Sequence, residues 1–389
     1  MQIKKNLFLF LIKIMSLISF SKKSDNVSYL MSFGGNIDFI QRLNERCLAR
    51  KQHLIVFYRP SMELEAIEIQ KIGIETKMFV ENISFVLNLI PLISKSSLLF
   101  VDNYFAFLAT MYTKKSTKIV QLWHANGAIK SFGWDEPKTN NRSDSDKKRF
   151  QAVYDQFDNF IVGSTKMGAV FEQSYHIDTD RILEIGYPAS DKFQNIDWQN
   201  KMKNNIFASY PNLKNKKVIL YAPTYRENIS GDVALELPED FSNIQKLLDD
   251  ETKLIIKLHP HLRDKEIELK SILSKDIVWV DDYSTGELLT ITNCLITDYS
   301  SVVFDFSLLP NAEQILFYCF DYQIYKDSIG IQSEFHEWAP GPIVQTMNEL
   351  VNAYQKVQNS DRQLDTFNLL WNTANDGYAT KRVLDYYFK

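Results

Sequence analysis

Cysteines are few in this chain, and none of the three lies close to another. Cys47, Cys294 and Cys319 form no C-x-x-C pair and have no metal-ligand spacing. The sequence therefore indicates neither a zinc site nor a disulfide framework. Cys294 and Cys319 lie within apolar runs, so we expect both to be small core residues.

Three common nucleotide-binding and hydrolase motifs are also missing. The sequence has no G-x-x-x-x-G-K-[ST], no G-x-G-x-x-G and no G-x-S-x-G. The simplest P-loop, dinucleotide-binding and serine-hydrolase interpretations are therefore excluded. An Asp-x-Asp pair at Asp144 and Asp146 resembles the one that metal-dependent sugar transferases use. It lies in the most polar run, 135–149, which we expect to be a solvated loop, with an acceptor lid as the alternative. We predict no bound metal.

The net charge is unevenly distributed along the chain. The net charge is −4, and residues 1–23 contain five lysines and no acid. The remainder of the chain therefore carries about −9. A net negative charge over the chain after residue 23 argues against a nucleic-acid-binding protein.

Only one apolar run resembles a targeting segment. It extends from Leu7 to Phe20, is interrupted by Lys13, and would span roughly 21 Å as a helix, against roughly 30 Å of hydrocarbon core. Lys13 and the absence of an A-x-A site argue against a signal peptide. We expect residues 1–24 to form a basic amphipathic helix, peripheral on the cytoplasmic face of the cell membrane. The alternative is a helix packed on the protein's own surface.

Short apolar runs alternate with helix-like segments, which indicates βαβ units and parallel sheets. The predicted strands are 27–33, 53–58, 97–102, 118–124, 159–163, 181–186, 217–222, 253–258, 277–280, 294–297 and 314–319. The predicted helices are 36–50, 61–71, 83–93, 165–175, 240–250 and 301–309. The turn-rich segment 187–200 divides two such sets. We therefore expect an α/β protein with domains at 25–190 and 191–389, and a helical segment at 360–388 that packs back.

Polar residues follow four of the predicted strands. In open parallel sheets, ligands bind beyond the carboxyl ends of the strands. The four segments are W-H-A-N-G-A-I-K-S-F-G at 123–133, Y-A-P-T-Y-R-E at 221–227, L-H-P-H at 258–261 and T-D-Y-S-S at 297–301. They would converge if the two sheets faced each other across a cleft.

The T-D-Y-S-S segment joins a predicted strand to a predicted helix. Ser300 or Ser301 would cap that helix, and backbone N–H groups at its positive end could bind a phosphate. An ordinary N-cap without a ligand is the alternative.

Histidine and arginine side chains at the other strand ends suggest acid–base chemistry and phosphate binding. His124 carries an imidazole, whose reference pKa near 6.5 suits proton abstraction from a hydroxyl; a hydrogen bond to a turn carbonyl is the alternative. Arg226 could bind phosphate oxygens in bidentate fashion; the alternative is a surface ion pair with Glu227 or another acid. His259, alone or with Lys257, could stabilise charge on a pyrophosphate. A metal site at His259 and His261 is less favoured, because no carboxylate has matching spacing.

In this order, the four segments resemble the CDP-glycerol glycerophosphotransferase family of teichoic acid synthesis. The matching residues are Trp123, His124, Gly127, Lys130, 222–226, 258–261, 297–301, Phe304 and Asp305, with P-G-P-I-V at 340–344. The resemblance covers roughly residues 118–345. It implies a GT-B-like fold with two Rossmann-like domains and CDP-glycerol bound mainly by the C-terminal domain. It also implies attack by an acceptor hydroxyl on the β-phosphate, CMP as the leaving group, and no tightly bound cofactor.

The resemblance also implies roles for individual residues. His124 corresponds to the general base, and His259 to a second essential histidine near the donor pyrophosphate. The implied CDP-glycerol contacts are Thr224, Arg226, His261, Asp298, Ser300 and Ser301. The implied acceptor-side residues are Asn126, Gly127 and Lys130.

The variant W-H-A-N-G-A-I-K and the short region before it resemble the family members that add a first glycerol phosphate. Their acceptor is an undecaprenyl-diphosphate-linked disaccharide of N-acetylmannosamine and N-acetylglucosamine. The alternatives are a glycerol- or ribitol-phosphate polymerase of the same family, a GT-B transferase that uses a nucleotide sugar, and a non-catalytic module. The sequence predicts no particular oligomeric state.

Overall fold

The chain folds into two compact units that each surround a parallel sheet. The computed structural model describes residues 2–19, 25–227, 233–258, 262–356 and 361–389. Unit 1 comprises residues 1–126, 133–191 and 374–389, and unit 2 comprises residues 127–132 and 192–373. The predicted α/β fold of two Rossmann-like domains is confirmed.

Unit 1 contains a seven-stranded parallel sheet in the order β3-β2-β1-β4-β5-β6-β7. Its strands are β1 (Val27–Met31), β2 (Leu54–Tyr58), β3 (Glu75–Met78), β4 (Leu98–Val101), β5 (Lys118–Gln121), β6 (Asn159–Val162) and β7 (Ile182–Glu184). Every residue of β1, β2 and β4 is buried, as expected for central strands covered on both faces. The edge strand β3 was not predicted, because its sequence E-T-K-M has no apolar run.

Helices flank the sheet of unit 1. They are α1 (Gln2–Ser19), α2 (Ile37–Ala49), α3 (Glu63–Lys71), α4 (Ile90–Ile93), α5 (Pro137–Asn140), α6 (Asp144–Tyr154), α7 (Thr165–Tyr175) and, at the end of the chain, α16 (Ala379–Tyr387). Shorter turns are the π-helix Phe85–Leu89 and the 3-10 helices Pro60–Met62, Ala106–Ala109, Gly133–Asp135, Thr179–Arg181 and Pro188–Gln194. The C-terminal helix α16 contacts α2, so its apolar residues complete the core of unit 1.

Unit 2 contains a six-stranded parallel sheet in the order β12-β11-β8-β13-β14-β15. The strands are β8 (Lys217–Tyr221), β11 (Thr252–Ile256), β12 (Val278–Trp279), β13 (Cys294–Thr297), β14 (Gln314–Tyr318) and β15 (Ile343–Val344). A separate antiparallel pair is formed by β9 (Arg226–Glu227) and β10 (Val233–Ala234). The central strands β8, β13 and β14 are neighbours, so the segments that follow them meet at one edge of the sheet.

The helices of unit 2 are mostly short. They are α8 (Ile196–Ser209), α9 (Arg263–Ile272), α10 (Thr285–Leu288), α11 (Val302–Phe306), α12 (Tyr322–Ser328), α13 (Phe335–Trp338), α14 (Met347–Lys356) and α15 (Asp361–Trp371). The 3-10 helices are Pro211–Leu213, Glu239–Leu247 and Leu289–Ile291. Cys294 and Cys319 are fully buried in this unit, in agreement with the prediction that they are core residues.

One face of α1 packs against unit 1. Ile12 and Ser16 on this face are buried. The Thr110 hydroxyl donates to the backbone oxygen of Leu9 at 3.0 Å, and the Tyr112 N–H donates to the Ser16 hydroxyl at 2.9 Å. The alternative expectation, a helix packed on the protein's own surface, therefore describes this face.

The opposite face of α1 is apolar and exposed. Leu7, Phe10, Leu17 and Ile18 are each 44–67% exposed and recur at helical spacing, so they form one stripe beside the exposed Lys13. Among the helices that the structure describes, none is long and apolar enough to cross a membrane. α1 thus has two apolar faces, of which the protein buries only one.

The expectation of a solvated loop at 135–149 is wrong, because α5 and α6 occupy most of this run. The Ser143 hydroxyl caps α6 by accepting a hydrogen bond from the N–H of Asp146 at 3.2 Å. Asp144 and Asp146 lie in the first turn of the helix, where carboxylates complement the helix dipole. The Asp-x-Asp pair therefore belongs to the start of a helix.

Candidate active site

His124 lies just beyond the carboxyl end of β5. Its Nδ1 is 3.2 Å from the backbone oxygen of Asp102, which follows the neighbouring strand β4. The Phe33 ring stacks on the imidazole with centroids 3.8 Å apart and planes at 11°, and the Trp123 ring lies at 4.2 Å. Because a carbonyl oxygen only accepts, Nδ1 must carry a hydrogen, and Nε2 bears the lone pair of the neutral ring. The alternative expectation, a bond to a carbonyl, is thus present and sets the tautomer.

Trp123 adopts an unusual backbone conformation next to this histidine. Its φ is +64°, a left-handed value that costs a bulky residue about 1–3 kcal/mol. The Trp123 N–H donates to the Gln121 side chain at 2.8 Å, and the indole packs edge-on against Phe171. Packing and one hydrogen bond therefore hold a strained residue in place, and such strain is concentrated at functional sites.

Asp102 supports the turn that carries Phe33. Its buried carboxylate accepts from the N–H groups of Ser32 and Phe33 at 2.8 and 2.9 Å, and from the Ser32 hydroxyl at 2.9 Å. Burial raises the pKa of Asp102 to about 7, although the hydrogen bonds from Phe33 and Ser32 act in the opposite direction. Through its carbonyl and its carboxylate, Asp102 thus holds both His124 and the ring stacked on it.

Asn126 is a buried residue of unit 1. Its Oδ1 accepts from Asn375 Nδ2 at 2.6 Å, and Asn375 Oδ1 accepts in turn from the N–H of Tyr187 at 2.8 Å. A Cβ on Gly163 would lie 2.2 Å from the Asn375 amide nitrogen, so this network is tightly enclosed. These bonds connect the loop after β5 to the C-terminal segment, and an acceptor-side role for Asn126 stays a prediction.

Gly127 and Lys130 belong to unit 2, where they lie against the second and fourth segments. A Cβ on Gly127 would be 2.5 Å from the Phe304 ring, so only glycine fits without displacing that ring. The Lys130 ammonium lies 5.8 Å from the centroid of the Tyr225 ring. The N–H of Ser131 donates to the backbone oxygen of Gly330 at 3.0 Å, which fixes the segment in this position.

Arg226 is the centre of a buried ion-pair network in unit 2. Its Nε and Nη2 donate to the two carboxylate oxygens of Asp321 at 2.7 and 3.0 Å, and its Nη1 donates to Asp298 at 3.0 Å. Burial acts to lower the pKa of the guanidinium, but Asp298 and Asp321 outweigh this effect and raise it. The ion pair that we kept as the alternative for Arg226 is therefore present, but with Asp298 and Asp321.

Thr224 and Asp298 join the second and fourth segments. Asp298 Oδ1 accepts from both the N–H and the hydroxyl of Thr224 at 2.9 Å, and from the N–H of Tyr299 at 2.7 Å. The Tyr299 ring stacks on Tyr325 at 3.7 Å. The strand ends of β8 and β13 are thus fixed relative to each other by buried hydrogen bonds.

Ser300 and Ser301 precede α11, which is only five residues long. The Ser300 hydroxyl accepts from the N–H of Val302 at 3.3 Å, and Ser301 at the N-cap position makes no side-chain cap bond. A helix this short has a weak dipole, so any phosphate bound here would depend mainly on hydroxyl and N–H donors. Of the two predicted caps, Ser300 makes the hydrogen bond.

The chain matches the family described as CDP-Glycerol:Poly(glycerophosphate) glycerophosphotransferase over residues 70–389. It belongs to this family. The teichoic acid glycerol-phosphate primase of Bacillus subtilis (strain 168) is 34% identical to this glycerophosphotransferase over 296 residues, 76% of this chain and 74% of the relative. The primase of the same name from Bacillus spizizenii (strain ATCC 23059 / NRRL B-14472 / W23) is 30% identical over 384 residues, 97% and 96% of the two chains. The resemblance found in the sequence is confirmed.

A solved structure of a variant of the wall teichoic acid polymerase TagF, soaked with CDPG, shares the fold. It aligns with a TM-score of 0.73 at 20% identity, over 99% of this chain and 93% of that chain. The GT-B-like class is therefore shown.

The third family segment, L-H-P-H, is described only in part. His259 and His261 lie outside the described residues, so the roles predicted for them stay predictions. Just before them, the Lys257 ammonium donates to the backbone oxygen of Val280 at 2.7 Å, and burial lowers its pKa. In the parts of the chain that the structure describes, no cluster of three or more metal-ligating side chains is present.

Four side chains that contact the candidate residues within unit 1 or within unit 2 were not among the predicted site residues. They are Phe33, Asp102, Asp321 and Tyr325. Asp102 and Asp321 follow β4 and β14, so the strand-end rule that identified the four segments could have found them. Phe33 and Tyr325 carry no such signal, because an aromatic ring in a sequence does not show what it will stack on.

Proposed function

We propose that this protein transfers glycerol phosphate from CDP-glycerol to an undecaprenyl-diphosphate-linked disaccharide, and that it adds the first unit. A hydroxyl oxygen of the acceptor attacks the β-phosphorus of the donor. The bond from that phosphorus to the bridging oxygen breaks, and CMP leaves with the oxygen. The hydroxyl proton passes to a base.

The observation that carries the proposal is the assembly in unit 2 of three family segments. Gly127 lies against Phe304, Lys130 lies over Tyr225, and Thr224 bonds Asp298. Segments far apart in the sequence thus present hydroxyl, ammonium and backbone N–H groups at the strand ends of one parallel sheet, where such sheets bind ligands. Donors of these kinds suit a pyrophosphate.

His124 is the base in this proposal. Its Nδ1 donates to the Asp102 carbonyl, so Nε2 is the atom that receives the acceptor proton. The stacked Phe33 ring and the tilted Trp123 ring restrict the orientation of the imidazole, which lowers the cost of aligning it for proton transfer. The chain thus provides both the tautomer and the orientation that a general base needs.

We assign the donor contacts to Ser300, Ser301 and Lys130, with His259 near the pyrophosphate as the resemblance implies. Thr224 gives both its N–H and its hydroxyl hydrogen to Asp298, so we assign it to the support of the loop after β8. Arg226 has a supporting part as well. Because its guanidinium is bonded to the carboxylates of Asp298 and Asp321 and to Thr224, it holds this loop in shape. We expect its loss to weaken donor binding through that loop.

Membrane attachment is the last part of the proposal. We infer that the exposed apolar stripe of α1 inserts into the cytoplasmic leaflet while the exposed Lys13 beside it faces anionic lipid. Peripheral attachment would bring the enzyme to an acceptor whose polyprenyl chain cannot leave the bilayer.

A donor panel tests the proposed reaction. The purified chain would be given a synthetic polyprenyl-diphosphate disaccharide with CDP-glycerol, CDP-ribitol or a UDP-sugar, and CMP or UDP release would be measured. We expect release from CDP-glycerol at least tenfold faster than from the others. Preference for CDP-ribitol would favour a ribitol-phosphate enzyme of the family, and preference for a UDP-sugar would favour a GT-B glycosyltransferase.

A His124→Gln variant provides the control. Glutamine can still donate to the Asp102 carbonyl but has no basic nitrogen, so we expect release to fall by about 10²–10⁴-fold with folding preserved. Full activity in a folded His124→Gln protein would contradict the general-base assignment. It would leave the donor assignment unaffected.

A further inference from the structure

Unit 1 contains a cavity between α1 and α6 that none of the family segments lines. Its volume is about 300 Å³. One wall is formed by Lys5, Phe8 and Leu9 of α1, and another by Arg142 and α6. The same helix, α1, carries the exposed apolar stripe on its other face. The cavity therefore lies beneath the helix that we place at the membrane surface.

The cavity carries unbalanced positive charge. Three basic side chains and two acidic ones line it, and both acids already have partners. Glu81 pairs with Arg59 at 2.6 Å, and Asp146 pairs with Arg149. Among the described residues, neither Arg142 nor Lys5 has a carboxylate within 4.0 Å. Two cationic groups therefore remain available to an anion.

Aromatic and apolar side chains line the rest of the cavity. The Arg142 guanidinium lies 4.5 Å from the centroid of the Phe150 ring, and that ring packs against Tyr104 at 5.2 Å. A guanidinium supported on a ring is held flat, so its N–H fork can meet a phosphate in bidentate fashion. Phe8 and Leu9 lie on the α1 side. The site thus offers cations together with an apolar wall.

The cavity is also close to the proposed base within unit 1. Tyr104 lines it and follows Asp102 by two residues, so their Cα atoms are at most about 7 Å apart. The carbonyl of Asp102 is the acceptor for His124. A ligand held in the cavity would therefore lie beside the turn that positions the catalytic imidazole.

We propose that this cavity binds the phosphate or diphosphate that links a lipid chain to its head group, with Arg142 and Lys5 as the ligands. The proposal rests on the proposed function, which calls for an isoprenoid diphosphate acceptor; a bulk phospholipid carries the same phosphate chemistry. The anion would bond to the two cations, while the first part of the lipid chain lies along Phe8 and Leu9.

Binding can be measured on the full chain without the donor. Farnesyl diphosphate is the probe, titrated by calorimetry against the wild type and an Arg142→Glu variant. We expect the variant to bind at least tenfold more weakly. Arg42→Glu, on the exposed surface of α2, makes the same change in charge outside the cavity and should bind like the wild type. Equal binding by both variants and the wild type would overturn the proposal.

A second variant, Lys5→Glu, tests the proposal even if the Arg142→Glu protein does not fold. Lys5 is exposed, so Lys5→Glu should leave the melting temperature unchanged and weaken the probe severalfold. If Arg142→Glu does not fold, normal binding by a folded Lys5→Glu protein overturns the proposal. If inorganic diphosphate binds as tightly as farnesyl diphosphate, the apolar wall contributes nothing and the lipid assignment is overturned.

Two further experiments are needed. The first distinguishes a lipid-linked acceptor from bulk phospholipid as the source of the phosphate, and the second distinguishes failure of the cavity proposal from failure of the proposed function. Arg142→Glu could bind phosphatidylglycerol vesicles more weakly than the wild type does and still bind farnesyl diphosphate as tightly. This result would overturn the acceptor assignment in favour of bulk lipid. Probe binding that depends on Arg142 in a chain that transfers nothing from CDP-glycerol would support the cavity and refute the proposed function. Transfer with a KM for the lipid acceptor unaffected by Arg142→Glu would refute the cavity alone.

Discussion

At the scale of single residues, buried groups hold the side chains to which we assign roles in the reaction. His124 is fixed by a carbonyl and two rings, and Arg226 is fixed by two carboxylates. Both arrangements fix the orientation of a side chain before any ligand binds. Asp102 is the clearest case, because one residue orients the imidazole through its backbone and Phe33 through its side chain.

The buried Asp102 carboxyl makes the stability of the protein depend on pH. Its pKa is about 7 in the folded chain and about 3.9 when unfolded, so the native state binds the proton more tightly between these values. This stabilisation is complete below about pH 4 and is lost as the pH rises through 7. Asp102→Asn removes the titration. From pH 5 to pH 8, we expect the free energy of unfolding of the variant to rise by about 2.5 kcal/mol relative to the wild type.

Urea unfolding at the two pH values measures this difference. Asp178→Asn, which changes an exposed carboxylate of unit 1, is the matched control and should show no such trend. A difference between Asp102→Asn and the wild type that stays constant from pH 5 to pH 8 would show that the Asp102 carboxyl does not titrate in this range.

At the scale of elements, α1 has two different faces. Ile12 and Ser16 face the protein, while the stripe that includes Phe10 faces outward. We expect Phe10→Lys to reduce binding to phosphatidylglycerol vesicles more than fivefold in a sedimentation assay, because an apolar side chain is removed from the interface.

The control for α1 is Leu64→Lys on α3. Leu64 is even more exposed, at 83%, but it lies on a different helix. It should leave vesicle binding unchanged. Equal effects of the two substitutions, or no effect of Phe10→Lys, would argue against α1 as the membrane-binding element.

The sequence was informative about elements wherever an apolar run was present. Strands such as β13 and helices such as α7 were predicted at their observed bounds. The polar edge strand β3 had no such run, and the run 135–149 was mistaken for a loop because its high charge hid the Ser143 cap of α6. Element prediction therefore failed where local hydrogen bonding, rather than hydrophobic pattern, decides the structure.

The candidate site was predictable from the sequence only in part, as the elements were. The strand-end rule found His124, Thr224 and Asp298, because it depends only on the topology of parallel sheets. It could not show that Arg226 would be bonded to Asp321, since that contact joins residues 95 positions apart. Long-range side-chain pairing is set by the packed fold and leaves no periodic signal in the sequence.

At the scale of the whole molecule, the chain combines a histidine that we propose as the base in unit 1, groups that we propose as phosphate ligands in unit 2, and a helix with an exposed apolar stripe. Membership of the glycerophosphotransferase family agrees with this combination. The central claim is that these parts transfer one glycerol phosphate to a lipid-linked acceptor.

The most direct test is the mass of the product. The full chain would be incubated with radiolabelled CDP-glycerol in excess and a synthetic polyprenyl-diphosphate disaccharide, and the lipid products would be analysed by mass spectrometry. We expect the acceptor to gain the mass of a single glycerol phosphate, with one CMP released per acceptor consumed. A ladder of longer products would show a polymerase, and an unmodified acceptor beside a chain active with another donor would contradict the account.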